Sequence, residues 1–62
     1  MRPGDLGRFR HSNTHFIVVE RFHRPTTAGE ETPHVIAIIN GIFEEFPEFW
    51  LIKHAEVIDE AG

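Results

Sequence analysis

The chain has 62 residues, no cysteine and a formal net charge of −4. A domain this short buries only about 60% of the surface its unfolded chain exposes, so a disulfide, metal or partner often supplements its core. The missing cysteines exclude a disulfide, a thiolate zinc site and dithiol redox chemistry. No apolar run approaches the roughly 20 residues needed to span a bilayer. The opening MRPGDLGRFR has no apolar signal-peptide core, so the expected location is the host cytoplasm or a virion, without signal-directed secretion.

In chain order, short β-branched and aromatic runs alternate with turn residues. Pro3-Gly4-Asp5 opens a first strand over Leu6–Arg10, and His11-Ser12-Asn13-Thr14 is a polar turn. HFIVVERFH, His15 to His23, is the longest run, followed by a loop from Arg24 to Pro33 that holds two prolines and Gly29. HVIAII, His34 to Ile39, is apolar at every position from Val35 onward. Such a strand is covered on both faces, either by a partly rolled barrel or by an oligomer over the outer face. Asn40-Gly41 predicts a tight hairpin, since both central residues of a type I′ turn need positive φ. Ile42 to Phe46 is then the returning strand, ended by Pro47, and Glu56 to Asp59 closes the domain.

Five short strands without a long helix leave few ways to bury a core, and curling the sheet into a small barrel is the simplest. Phe9, Val19, Val35, Ala37, Ile39, Val57 and part of the 16–18 stretch are the expected interior.

The segments PGDLGRFR, FIVVER, IINGIFEEFP, FWL and EVIDE together resemble the small SH3-like barrel proteins common in bacteriophages and bacteria. The resemblance covers most of the chain as one domain, residues 1–62. It implies an all-β, five-stranded antiparallel SH3-like barrel with a single 3₁₀ turn before the last strand. By that resemblance, a phage virion component such as a capsid decoration or connector protein is the most concrete role. Two departures stand out: Gly7 occupies a position where such proteins place an apolar strand residue, and IKHA lengthens the stretch after Trp50-Leu51.

The tract FEEFPEFW, Phe43 to Trp50, packs four aromatic rings and three carboxylates into eight positions. Read as a 3₁₀ connection, it would eclipse Pro47 with Trp50 and Phe46 with Phe49. The rings serve either as core or as contact surface. A barrel of this size accommodates about two of the seven aromatic rings at its centre, each burying roughly 150–250 Å². Phe22, Phe46 and Trp50 are therefore the candidate interface to another protein chain, with neighbouring glutamates as a polar rim.

No residues suggest an enzyme or a cofactor. Glu44 and Glu45 are adjacent, so on a strand they point to opposite faces and cannot act as an acid/base pair; with Glu48 they read as a charged, protected edge. The sequence carries no GxSxG, P-loop or GxGxxG. His11 and His15 flank turn residues instead of sharing a helix face, so no metal is expected, and His34 and His54 read as edge or satisfied interior histidines.

Charge is divided along the chain. Five arginines against Asp5 and Glu20 give residues 1–28 a net +3, and Lys53 against eight carboxylates gives residues 29–62 a net −7. Opposed halves attract either within one fold or between copies. Arg8, Arg10, Arg21 and Arg24, interleaved with Phe9 and Phe22, form the alternative candidate, a nucleic-acid face like that of KOW-type barrels. Overall acidity favours pairing of these arginines with the second half, and makes protein chains the expected partners over nucleic acid or membrane.

Overall fold

A computed structural model describes residues 1–60 of the chain. It contains β1 (Leu6–Phe9), β2 (His15–Pro25), β3 (Glu31–Ile39), β4 (Ile42–Pro47), a short helix α1 (Glu48–His54) and β5 (Ala55–Asp59). The strands form one antiparallel sheet in the order β4-β3-β2-β1-β5. The all-β expectation with five antiparallel strands therefore holds.

Asn40 and Gly41 both have positive φ, at 51° and 79°, as the hairpin turn between β3 and β4 requires. The preceding hairpin is longer than its sequence suggests. Pairing of β2 with β3 continues through Arg24↔Thr32 and Pro25↔Glu31, which shortens the expected 24–33 loop to the turn around Thr26–Glu30. Gly29, at φ 81°, makes that turn possible. Pro33 is tolerated inside β3 because it lies beyond the last β3–β4 pair, His34↔Pro47, where the strand has an open side.

The expected 3₁₀ turn is instead an α-helix of seven residues, about two turns. Pro47, extended at φ −61° and ψ 134°, ends β4 and serves as the N-cap. Glu48 occupies the first turn and Lys53 and His54 the last, the arrangement the helix dipole favours. The additional IKH residues supply the second turn that a 3₁₀ connection would lack. The expected Phe46–Phe49 pair is also replaced: Phe46, near the end of β4, stacks on Trp50 of α1, and Phe49 is left exposed.

The buried core comprises Phe16, Val18, Val35, Ala37, Leu51 and Ala55, with Met1, Phe9, Ile39 and Phe46 packed against it. Val35 and Ala37 are buried as expected, while Phe9, Ile39 and Val57 are half-buried. Of the 16–18 stretch, Phe16 and Val18 face inward and Ile17 outward. Val19 is a correction. It is 40% exposed because alternation with buried Phe16 and Val18 turns it outward, and the β-bulge between Val18 and Glu20 leaves Glu20 outward as well.

Gly7 faces the same interior. A Cβ there would fall 2.2 Å from Cζ of Phe16, so the absent side chain at this position is filled by the ring of its cross-strand partner.

Candidate functional site

Directly paired residues in neighbouring strands share one face of a sheet. The register therefore defines the outer face, opposite the core, row by row. Arg8 pairs with His15 at one end. Next comes a row across four strands, Leu6↔Ile17↔Ile38↔Phe43. It is followed by Glu20↔Ile36↔Glu45 and by Phe22↔His34↔Pro47. Arg24↔Thr32 closes the series. The apolar character of the outer face is thus concentrated in the row of Leu6, Ile17, Ile38 and Phe43, with charge in three of the other four rows. Ile17 is 50% exposed and Phe43 64% exposed, so the row they share meets solvent.

The candidate interface residues divide between two places. Phe46 and Trp50 stack with centroids 5.3 Å apart and planes within 6°. Each also contacts Phe9 edge-on, and His54 lies 4.5 Å from Trp50 on its other flank. Phe46 packs against the core and Trp50 stays 37% exposed, so this corner is both packing and surface. Phe22 is elsewhere. It sits on the outer face against His34, with the Arg24 guanidinium 5.1 Å above its ring. The structure therefore does not bring Phe22 together with Phe46 and Trp50.

The four arginines do not form one patch either. Arg8 and Arg10 both engage Glu56, Arg10 at 3.6 Å. Arg21 donates from Nε to Glu48 Oε2 at 2.7 Å and from its terminal nitrogen to Oε1 at 3.2 Å. Arg24 grips Glu45 through two nitrogens, one at 2.7 Å. The positive first half is thereby neutralised by the acidic second half at three separate places.

Glu48 is the most constrained of these carboxylates. Arg21's hydrogen bonds, reinforced by the Met1 amino group at 2.9 Å, hold its pKa down at about 2. Burial opposes that shift and is outweighed. Glu45 is also lowered, chiefly by its hydrogen bonds from Arg24, with His34 Nδ1 2.9 Å away adding to the effect.

His11 lies in the turn after β1, and His15 Nδ1 contacts the Asn13 carbonyl at 2.9 Å. Among the described residues no three His, Asp or Glu side chains converge on a point that could hold a metal. Met1, Arg2, Arg10, Ile52 and Glu56 line an open cleft beside α1 and β5 that mixes both charges with apolar groups. Among the described residues no helix is long and apolar enough to cross a membrane.

Sequence reasoning missed the four-strand apolar row. Its signal was present in the unbroken apolar run of β3, but membership of the row depends on the register, which the bulge at Val19 shifts. No family model, curated protein or solved structure matches the chain.

Proposed function

We propose that the chain is a non-enzymatic protein–protein interaction module, a small subunit of a larger assembly built on an SH3-like barrel. One observation carries this reading: large apolar side chains lie exposed on the outer sheet face and beside the aromatic corner of a 62-residue protein, Phe43 and Phe49 among them. Contiguous apolar surface of this kind marks contact sites on small proteins. The strand order supports the barrel, with β1 flanked by β2 and β5 and α1 bridging the two edge strands. The resemblance in sequence supports a phage virion, as capsid decoration or connector, as the concrete setting.

The carboxylates favour this reading over catalysis. Glu45 and Glu48 are each engaged by an arginine on a different element, and Glu44 is exposed at the sheet edge. The alternative is a KOW-like nucleic-acid module using Arg8, Arg10, Arg21 and Arg24. It is less favoured, because each of these cations already faces a carboxylate and phosphate binding needs clustered, available charge.

The test replaces Phe22, Phe46 and Trp50 singly with serine and measures folding and assembly together. Phe22→Ser, remote from the core, is expected to preserve folding and weaken assembly. If every substitution either unfolds the domain or leaves assembly unchanged, these rings are not the interface.

A further inference from the structure

We infer that the outer sheet face is a self-complementary dimer surface, centred on the row Leu6–Ile17–Ile38–Phe43, whose partner is a second copy of this chain. The inference rests on the interaction-module reading and names its partner.

The argument begins with β3. Its inward residues Val35 and Ala37 are buried in the core, yet its outward residues Ile36 and Ile38 are also aliphatic. A strand with one face in water ordinarily alternates apolar with polar. Ile38 continues into Ile17 and Phe43, so the apolar character belongs to a row and not to one strand.

Charge selects the occupant. On one flank of the row stand Glu56, Arg8 and His15, with Arg8 and Glu56 paired to each other; on the other stand Glu20 and Glu45, with Glu45 held by Arg24. A two-fold axis lying along the row lays it upon itself and exchanges the two flanks. The axis then brings His15 on one flank of each copy opposite Glu20 on the other flank of its partner, the two flanking polar side chains that make no ion pair among the described residues. On β2 the match is local, since His15 and Glu20 stand on either side of Ile17. Glu45 is held by Arg24, whereas Glu20 has no ion-pair partner among the described residues and is exposed. Arg8 is likewise held by Glu56, so Glu20 is the carboxylate open to His15 of a second copy.

A stable interface removes about 800 Å² from each partner, roughly a fifth of the 4337 Å² of accessible surface here. Face-to-face sheets pack with strand directions within about 30°, which leaves the rows in register near the axis.

Sedimentation equilibrium of the purified full chain tests the inference, with circular dichroism confirming that each variant is folded. The wild type is expected to populate a dimer. Ile17→Asp, at an exposed position, should abolish it. His15→Glu should weaken association by about tenfold or more, because it sets two carboxylates together across the axis, and Glu20→Arg should weaken it by removing the carboxylate opposite His15. The double variant H15E/E20R should restore it, an outcome that a merely structural role for either residue would not produce. A chain that remains monomeric at every accessible concentration overturns the dimer, as does a dimer indifferent to Ile17→Asp or a double variant no better than the singles. A monomer whose Phe22→Ser variant still loses assembly into a larger particle would overturn the dimer alone and leave the module reading standing.

Discussion

The ring of Phe16 occupies the space in which the side chain of residue 7 would stand, with its Cζ 2.2 Å from the Cβ that Gly7 lacks. Phe16 is 1% exposed and touches Phe9 at 5.1 Å, so its ring has little freedom to withdraw. Gly7→Ala is therefore expected to destabilise the fold by roughly 1–3 kcal/mol, the usual cost of overpacking. Adding Phe16→Leu should recover part of that loss. Chemical denaturation of the two singles and the double measures it, and strict additivity would contradict the account.

Gly41 makes the opposite prediction about mechanism. A Cβ there meets nothing within 4 Å, but its φ of 79° belongs to the left-handed region. Gly41→Val should cost about 1–2 kcal/mol through backbone strain alone. Gly41→Asn, whose side chain tolerates that conformation, should cost less. Equal losses for the two would show that the turn does not require positive φ.

The Arg21–Glu48 pair fastens the first turn of α1 to β2 and gives the fold an acid limit. Glu48 has a pKa near 2 in the folded chain against 4.5 for an ordinary glutamate. A depressed carboxylate contributes stability that is complete above the unfolded value and lost as pH falls through the folded one. Stability should accordingly decline between about pH 5 and pH 2. Glu48→Gln should remove about 1–3 kcal/mol at neutral pH and flatten that decline. Thermal melts of both proteins across this range provide the check, and parallel pH profiles would refute it.

Much of the fold was legible because its signals are local. Asn40-Gly41 marks its hairpin, Pro47 ends its strand, and Val35 and Ala37 lie on the inner face by simple alternation. The helix was not legible, because Phe49, Trp50, Ile52 and His54 have weak helix propensity and seven residues are too few to display a helical period. Its formation depends on burying Leu51 and on the Glu48–Arg21 contact, both tertiary. Val19 was misplaced because the unbroken apolar run Phe16–Val19 does not mark which alternating set, 16 and 18 or 17 and 19, faces the core. The aromatic corner was half legible: Phe46 and Trp50 do meet, but Phe22 lies across the sheet from them, which only the register reveals.

Charge pairing yields a prediction against the nucleic-acid alternative. With Arg8, Arg10, Arg21 and Arg24 each facing a glutamate, few cations remain to release counterions from a phosphate backbone. The chain is expected to pass through heparin at roughly 0.15 M salt, within the range where phosphate binders are commonly compared. Retention that falls steeply with salt, and falls further on Arg8→Gln, would favour the alternative.

The central claim, that this is a module for contact with protein, is tested most directly by site-specific photocross-linking from position 43. Phe43 is 64% exposed in the outer row, so a benzophenone amino acid there replaces a surface ring without entering the core. Irradiation in the producing cell, followed by mass analysis of adducts, should yield one defined product of this chain with a protein, a second copy of itself on the dimer reading. That product should disappear in an Ile17→Asp background. No adduct, an adduct with nucleic acid, or a protein adduct that survives Ile17→Asp would contradict the account.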